Sequence, residues 1–370
     1  MILPNDFKRQ WADTREAMLE AFAAVGESGW YILSAEVRAF ESALASCWGV
    51  EHAVGVGSGL DALELGLRIA GCGPGDKVLT TPLSAFATTL AIVKLGATPC
   101  FVDTDEHGLI DLERCGGALA KRADIRFLLP VHLYGHALDL SALESLGNRF
   151  GCTIIEDCAQ SVLASSGGRR TGTVGRISAT SFYPTKNLGA LGDGGAILTN
   201  DDEYDAAARV LRDDGQTGKY RHDIVGYNSR LDELQAALLR RVHLPRLAGW
   251  TARRKQIAAK YLEGIRRPGI RPMAGPAASD STWHLFPVRI DPNRKGEFIR
   301  YLRGEGVLCG EHYPTAIPDQ KALHGVPHEL LDDGATARAI SRSEVSLPIH
   351  SYLTDEEVDR VIDLCNRWQG

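Results

Sequence analysis

The apolar residues at the start of the chain recur with the period of an α-helix. Residues 7–25 have a helical composition, and glycine and serine break that helix at residues 26–29. A second helix is predicted over residues 36–48, with Ser34 as its N-cap, because apolar side chains recur on one face. Those side chains are Val37, Phe40, Leu44 and Cys47. We therefore expect two helices joined by a short irregular link.

From residue 53 onward, short apolar runs alternate with amphipathic stretches. The apolar runs predict one strand that starts at residue 53 and further strands at residues 78–82, 98–102, 126–134, 153–157, 177–183 and 196–199. The stretches between them predict helices at residues 85–95, 112–120, 141–150 and 202–211. Short, continuously apolar strands that alternate with helices are typical of a mostly parallel sheet covered on both faces. The predicted fold class is therefore α/β.

The last third of the chain departs from this alternation. Residues 231–265 read as a helix that kinks or breaks at Pro245, and proline and glycine are frequent at residues 264–281. Beyond that stretch, strands are predicted at residues 284–290 and 345–347, and helices at residues 297–303 and 355–368. We therefore expect a large α/β domain over residues 1–250 and a smaller α+β domain over residues 251–370.

Composition and charge disfavour several classes of protein. Of the 370 residues, 44% are hydrophobic and 24% are charged, and the net charge of -6 includes no basic block. Nucleic-acid binding therefore has no electrostatic support. The longest apolar runs are too short to span a membrane, and residues 1–6 lack a signal-peptide pattern. Eight cysteines without a C-x-x-C pair favour neither a disulfide framework nor a metal site, so we expect a reduced, cytoplasmic protein.

Lys186 is the first candidate catalytic residue. It follows a predicted strand, and four glycines lie within the seven residues 189–195. Glycine lets the backbone come close to a bound group. A lysine held in such a pocket loses solvation, so its pKa falls and its amine becomes nucleophilic, as a Schiff-base lysine requires. The alternative is a surface lysine in a glycine-rich turn.

The turn Gly57-Ser58-Gly59 is a candidate phosphate site. A short strand precedes it and a helix follows, and the free N–H groups at a helix N-terminus bind anions. Leu60 stands where a dinucleotide-binding fingerprint needs glycine, and no Gly-Lys-Ser/Thr sequence follows. A Rossmann oxidoreductase is therefore disfavoured, whereas a phosphate site and a purely structural turn both stay open.

Asp157 ends the predicted strand at residues 153–157. Ligands of open α/β sheets bind beyond the carboxyl ends of the strands. A carboxylate buried there costs several kcal/mol unless a cation or hydrogen-bond donors satisfy it. We therefore favour a functional role for Asp157, with a helix cap or loop carboxylate as the alternative.

Several long motifs follow one another in an order typical of one family. They lie at residues 55–67, 131–135, 156–160, 181–196 and 227–236. On these motifs the chain resembles the DegT/DnrJ/EryC1/StrS family of sugar aminotransferases, which use pyridoxal 5'-phosphate (PLP) and have the type I fold. The resemblance implies transamination of a nucleotide-linked keto-deoxysugar, with L-glutamate as the amino donor.

The resemblance also implies roles for individual residues. Lys186 matches the lysine that forms the Schiff base with PLP, and Asp157 matches the carboxylate that pairs with the pyridine nitrogen. Asn228 matches an asparagine that reaches the phosphate of the neighbouring subunit's cofactor, so a homodimer with shared active sites is expected. The other expected cofactor contacts are Gln160 near the phenolic oxygen, Phe86 stacked on the ring, and Gly57, Ser58, Gly59 and Ser181 around the phosphate.

Further residues are expected to bind the sugar nucleotide. Lys219 and Arg221 lie on the polar segment 212–228, which we expect to be irregular. If Asn228 crosses to the partner, these two cations cross with it and reach the diphosphate; the alternative is a solvated loop. His312 and Tyr313 match a family motif that lines the hexose pocket, and Tyr183 lies close enough in sequence to Lys186 to share that space.

Small departures from the family pattern leave the reaction type unchanged. Leu60, Thr185 and Cys158 stand where threonine, glycine and alanine are frequent. Some relatives have histidine at the lysine position and act as dehydratases, and Lys186 argues against that activity. The motifs at residues 57–63, 131–135 and 181–184 are most similar to the branch that acts at C3 of dTDP-3-keto-6-deoxyhexoses. The alternatives are a 4-keto aminotransferase and a PLP-binding sensor without turnover.

Overall fold

The structure is a computed structural model that describes residues 1–369. The α-helices are α1 (Phe7–Ser28), α2 (Ala35–Trp48), α3 (Gly59–Ile69), α4 (Phe86–Lys94), α5 (Leu112–Leu119), α6 (Leu140–Phe150), α7 (Asp202–Arg212), α8 (Glu233–Leu238), α9 (Leu247–Gly264), α10 (Lys295–Gly304), α11 (Ala335–Ser343) and α12 (Asp355–Arg367). None of these helices is both long and apolar enough to cross a bilayer.

The strands are mostly short. They are β1 (His52–Val56), β2 (Lys77–Thr80), β3 (Thr98–Phe101), β4 (Ile125–Leu129), β5 (Thr153–Asp157), β6 (Ser165–Ser166), β7 (Arg169–Arg170), β8 (Ile177–Ser181), β9 (Gly195–Thr199), β10 (Gln216–Gly218), β11 (Arg221–His222), β12 (Arg271–Pro272), β13 (Ser279–Asp280), β14 (Phe286–Arg289), β15 (Glu329–Leu330) and β16 (Glu344–Leu347).

Eight of these strands form one sheet in the order β1-β9-β8-β5-β4-β2-β3-β15. Strand β9 runs antiparallel to both of its neighbours, and every other neighbouring pair is parallel. The inner strands are apolar on both faces because helices cover both sides of the sheet, and Leu79, Leu128, Ile155 and Ile197 are completely buried. The predicted α/β class with a mostly parallel sheet is confirmed.

A second core lies near the C-terminus. Strands β12, β14 and β16 form a three-stranded antiparallel sheet. Its apolar residues pack with those of α9, α10 and α12; Phe286, Phe298 and Val361 are among the buried members. The division into domains at residue 250 stays a prediction, and that position lies inside α9.

Three predicted elements differ from the observed ones. The strand predicted at residues 126–134 ends at Leu129, and Tyr134 takes a positive φ of 61° in a tight turn. The long helix predicted at residues 231–265 is two α-helices joined by a π-helical and a 3-10 turn, and Pro245 lies in the latter. The segment predicted to be irregular at residues 212–228 contains the hairpin β10–β11. Local sequence patterns do not record such changes of helical pitch or short hairpins.

Ser34 precedes α2 as predicted, but its hydroxyl makes no capping hydrogen bond. The carboxylate of Glu233 caps this helix instead, because it accepts hydrogen bonds from the amides of Ser34, Glu36 and Val37 at 2.6, 2.8 and 3.0 Å. Glu233 lies in α8, so this cap ties the N-terminal helices to the segment that follows the predicted Asn228 site.

Candidate active site

The candidate site lies along one edge of the large sheet. Asp157 ends β5 and Ser181 ends β8, and these two strands are parallel. Strands β1 and β8 are both antiparallel to β9, so they run in the same direction and end at the same edge of the sheet. At that end of β1, Val56 lies opposite Gly195 of β9. The predicted turn at Gly57 therefore lies at the same edge as Asp157 and the lysine loop, which we define as residues 182–194 between β8 and β9.

A tight turn after β8 presents Lys186. Its amide donates to the carbonyl of Tyr183 at 2.8 Å, and the Ala190 amide donates to the carbonyl of Phe182 at 2.7 Å. Gly189 is required for close approach, because a Cβ there would lie 2.4 Å from the Pro184 carbonyl oxygen. The side chain is half-buried. Loss of solvation lowers the pKa of Lys186 to about 8, although the negative charge of Asp157 acts in the opposite direction.

Asp157 is buried and has few partners. The hydroxyl of Thr88 donates to Oδ2 at 2.8 Å, and the amide of Ala159 donates to Oδ1 at 3.1 Å. Burial raises the pKa of Asp157, although these two hydrogen bonds and the charge of Lys186 oppose the rise. Among residues 1–369, no cation forms an ion pair with this carboxylate, so it is suited to a positively charged ligand atom.

Gln160 connects the predicted cofactor and sugar residues. Its Oε1 accepts a hydrogen bond from the Tyr134 amide at 2.8 Å, and its Nε2 donates to the Tyr313 hydroxyl at 3.1 Å. The Tyr134 hydroxyl in turn donates to the carbonyl of His312 at 2.6 Å. The structure therefore brings Gln160, His312 and Tyr313 together, although they lie on separate segments.

The N-terminus of α3 offers an anion site. Ser58 is the N-cap, and its hydroxyl accepts from the Asp61 amide at 3.1 Å. The amides of Gly59 and Leu60 have no acceptor within the helix, as in the first turn of any α-helix. Gly59 is required here because a Cβ would lie 2.6 Å from the Cβ of Ser181. The phosphate of PLP fits this terminus by charge and by hydrogen-bond donors.

Gly57 differs from Gly59 and Leu60, because its amide already has an acceptor. It donates to the hydroxyl of Ser229 at 3.0 Å, and that hydroxyl donates to Oδ2 of Asp61 at 2.6 Å. Ser229 follows the predicted Asn228. Asn228 itself is exposed, and its side-chain oxygen accepts from Arg230 at 2.6 Å. Phe86 is partly buried at the start of α4, two residues before Thr88.

The other predicted sugar residues are more exposed. Tyr183 is half exposed. Lys219 lies over the ring of Tyr220, and Arg221 pairs with Asp223 at 3.1 Å on the hairpin β10–β11. Within residues 1–369 of one protomer, the hydrogen bonds and ion pairs recorded for these two cations do not reach the lysine loop.

A buried pair lies behind Asp157. The Nε2–H of His132 donates to Glu156 at 2.9 Å, because its Nδ1 accepts from the Leu138 amide at 3.2 Å. Burial alone would raise the pKa of Glu156, but the hydrogen bonds from His132 and from backbone amides hold it below its usual value. The His132 amide donates to the Asp157 carbonyl at 3.1 Å. This pair therefore fixes the end of β5.

The sequence did not single out Thr88, Ser229, His132 or Glu344. A signal existed for three of them, since Ser229 and His132 lie inside recognised motifs and Thr88 lies in the first turn of the helix after β2. For Glu344 the sequence offers no comparable signal, because it acts through residues distant along the chain.

PLP requires an amine for its aldehyde, an anion near its ring nitrogen and a site for its phosphate. Lys186, Asp157 and the first turn of α3 meet these requirements at one sheet edge, which identifies the class as PLP-dependent enzymes. The chain belongs to the DegT/DnrJ/EryC1/StrS aminotransferase family, whose sequence profile matches residues 12–366.

Individual relatives agree with that assignment. The chain is 42% identical over 368 residues to the dTDP-3-amino-3,4,6-trideoxy-alpha-D-glucose transaminase of Streptomyces venezuelae, covering 98% of this chain and 95% of that protein. It is 40% identical over 350 residues to the dTDP-3-amino-3,6-dideoxy-alpha-D-galactopyranose transaminase of Aneurinibacillus thermoaerophilus, covering 94% of each. The crystal structure of S. venezuelae DesV matches with a TM-score of 0.94 at 40% identity, covering 100% of this chain and 98% of that chain.

The predicted activity class and cofactor are thereby confirmed: the protein is a PLP-dependent aminotransferase. The roles of the individual residues stay predictions, and so do the partner subunit and the amino donor.

Proposed function

We propose that this enzyme transfers the amino group of L-glutamate to C3 of a dTDP-linked 3-keto-6-deoxyhexose. The observation that carries this proposal is its similarity, over 98% and 94% of the chain, to two transaminases whose names both specify a 3-amino dTDP sugar. The site supports it, because the lysine loop borders a cavity walled by His312, a residue predicted to bind the hexose.

In this proposal Asp157 and the α3 N-terminus hold the two ends of the cofactor. When bound, PLP supplies the aldehyde carbon that receives the amino group and a ring that withdraws electrons from it. The Asp157 carboxylate keeps the ring nitrogen protonated, and the amides of Gly59 and Leu60 bind the phosphate. With its pKa lowered to about 8, part of the Lys186 amine is uncharged near neutral pH, and in that form Nζ takes the proton from Cα of the amino donor.

In this proposal the hexose of the sugar nucleotide binds where the lysine loop borders the cavity walled by His312. Tyr183, His312 and Tyr313 bind the hexose. Asn228 is exposed and lies next to Ser229, which contacts the Gly57 amide, so we propose that a second protomer completes each site. The hairpin with Lys219 and Arg221 then crosses to the partner and binds the diphosphate, for which cations are needed beyond those that serve PLP.

The diphosphate contact separates the two half-reactions, because glutamate has no diphosphate. Lys219→Ala combined with Arg221→Ala is expected to raise KM for the sugar nucleotide at least tenfold, which is about 1.4 kcal/mol. The rate at which L-glutamate bleaches the yellow enzyme is expected to change little. A matched control is Lys121→Ala with Arg303→Ala, an exposed pair outside the site, which leaves both quantities unchanged. Equal damage to both half-reactions would contradict the diphosphate role.

Assays with paired 3-keto and 4-keto nucleotide sugars test the position of transamination. A clear preference for the 4-keto substrate would overturn the C3 proposal while leaving the aminotransferase class intact. The sensor alternative predicts a yellow protein that L-glutamate does not bleach. We also propose a cytoplasmic location, which the eight unpaired cysteines support.

A further inference from the structure

A cavity of about 240 Å³ lies beside the lysine loop, and the ring of His312 forms part of its wall. Its other lining residues include Thr185, His284, Gly310 and Ser346. The ring is anchored from behind, since Nδ1 lies 2.8 Å from the hydroxyl of Ser346. Among the hydrogen bonds of residues 1–369, none involves Nε2 of His312. Nε2 is therefore the ring nitrogen that a ligand can contact.

The chain of hydrogen bonds continues behind Ser346 to a carboxyl group. Oε1 of Glu344 lies 2.5 Å from the Ser346 hydroxyl, and Oε2 accepts the backbone N–H of His312 at 2.7 Å. Glu344 is completely buried, and no ion pair to it is formed within the described residues. The three groups Glu344, Ser346 and His312 thus form a linear network that ends at the cavity.

Strand β16 and the segment before His312 hold this network in place. Gly310 and Ser346 pair through two backbone hydrogen bonds of 3.0 and 2.9 Å. A Cβ at Gly310 would lie 2.6 Å from Cε1 of the His312 ring, so only glycine leaves room for the ring there. The distance between Ser346 and the ring is therefore set by backbone pairing as well as by side-chain contacts.

Counting hydrogens gives two possible arrangements. The Ser346 hydroxyl has one hydrogen and must serve two neighbours. If Glu344 is ionised, Ser346 donates to Oε1, so Nδ1 of His312 must carry the ring proton. If Glu344 is protonated, it donates to Ser346, and Ser346 donates to Nδ1, so the ring proton lies on Nε2. The proton on Glu344 therefore decides whether the ring offers the cavity a donor or an acceptor.

The surroundings favour the protonated carboxyl at neutral pH. Burial raises the pKa of Glu344 to about 8, although hydrogen bonds from Ser346 and the His312 amide and the charge of Lys295 oppose the rise. Lys295, the cation whose charge lowers this pKa, is already paired with Glu311 at 2.6 Å. The other titratable or charged groups around Glu344 are Arg289, Tyr134, Tyr313 and Cys309. His312 itself is neutral at this pH, because burial lowers its pKa to about 4.

We propose that Glu344 and Ser346 are positioning residues, which hold His312 as the tautomer protonated on Nε2 and so give the sugar pocket a hydrogen-bond donor. The function of that donor rests on the proposed sugar substrate, but the tautomer does not. A direct measurement of the tautomer therefore separates failure of this inference from failure of the proposed function.

The tautomer is measured by NMR on enzyme labelled with ¹⁵N-histidine, with the His312 signals assigned from a His312→Gln sample. In the wild type without sugar, we expect the proton on Nε2 at pH 7 and a change to Nδ1 as the pH rises through about 8. In Glu344→Gln the amide oxygen must accept the His312 N–H, so its NH₂ donates to Ser346 and the ring stays protonated on Nε2 at pH 9. Ser346→Ala is expected to abolish the pH dependence of the tautomer.

The control is Glu297→Gln, which removes an exposed carboxylate of α10 but keeps the Lys295–Glu311 pair and the three-residue network, so a tautomer change with pH must persist. In kinetics, KM for the sugar nucleotide is expected to rise about tenfold from pH 7 to pH 9 in the wild type and to stay constant in Glu344→Gln. A wild-type ring protonated on Nδ1 at pH 7, or the same tautomer from pH 6 to pH 9, would overturn the proposal. So would a KM that follows pH equally in both proteins.

Discussion

Removal of the Thr88 hydroxyl tests most directly how the protein keeps the carboxyl group of Asp157 ionised. Thr88 is completely buried, and its hydroxyl lies 2.8 Å from Oδ2 of Asp157 and 2.9 Å from the hydroxyl of Ser84. Thr88→Val replaces the hydroxyl with a methyl group of similar size, so the packing of α4 is retained. The carboxylate then keeps one direct donor in the described structure, the Ala159 amide.

The magnitude follows from the kind of bond that is lost. A hydrogen bond to a charged group contributes about 1.5–3 kcal/mol, and one pKa unit is about 1.4 kcal/mol, so the pKa of Asp157 is expected to rise by about one to two units. Burial already raises this pKa, and the Thr88 bond opposes the rise. The ionised carboxylate is the active form. On acidification, the activity of the variant therefore begins to fall at a higher pH than that of the wild type.

The assay is the pH profile of bleaching by L-glutamate in the PLP-loaded enzyme. In Thr88→Val the acid limb of that profile is expected to move to higher pH by about one to two units, with about tenfold weaker PLP binding. Thr89→Val is the matched control, because Thr89 is equally buried in the same helix and its hydroxyl has no partner within residues 1–369. An unmoved acid limb, or an equal shift in both variants, would refute the reasoning.

Two further substitutions test the candidate catalytic residues Lys186 and Asp157. Lys186→Ala is expected to retain PLP through the phosphate and ring contacts but to lose turnover by several orders of magnitude; activity within about tenfold of the wild type, a barrier change of only about 1.4 kcal/mol, would contradict the assignment. Asp157→Asn keeps the shape of the side chain but cannot hold a ring nitrogen protonated, so the bleaching rate is expected to fall strongly while circular dichroism is unchanged. An unaltered rate would make Asp157 a structural residue.

The sheet and the edge that carries the site could be predicted because both depend on local patterns. Buried parallel strands are continuously apolar, and this is why the strands that end at Asp157 and Ser181 were found close to their observed bounds. Strand ends then place the Gly57 turn, Asp157 and Lys186 at one edge without any knowledge of side-chain contacts. The helical capping was predicted less well, because the group that caps α2 is Glu233, about 200 residues away from Ser34 in the sequence.

The hydrogen-bond partners of the candidate site residues could not be predicted, because they are distant in sequence. Thr88 and Asp157 are 69 positions apart, Gly57 and Ser229 are 172 apart, and His312 and Glu344 are 32 apart. A threonine on an apolar helix, or a glutamate at the start of a strand, has no periodicity that distinguishes it from a solvent-exposed one. Only the packing of the elements shows which of these side chains is buried and what it contacts.

The buried carboxyl groups of the protein fall into two sets according to their ion-pair and hydrogen-bond partners. The smaller set lies at the candidate site. Most of the buried carboxyl groups have a cation or several amides. Glu36 pairs with Arg240 and Arg241, Glu41 with Arg209 and Arg212, and Glu64 with Lys94, while Asp103 and Glu233 each accept three amides and Glu156 accepts His132 and three amides.

Asp157 and Glu344 are different, because each has one hydroxyl donor and one backbone amide among the described residues. Burial raises the pKa of both, whereas the pKa values of Glu36, Asp103 and Glu156 are lowered by their partners. An under-satisfied buried carboxyl group takes up either a proton or a cationic ligand. In the proposed site the ring nitrogen of PLP supplies the cation for Asp157. No ion pair to Glu344 is formed among the described residues, so we infer that a proton satisfies this carboxyl group, which then donates to Ser346, as Ser346 does to Nδ1 of His312.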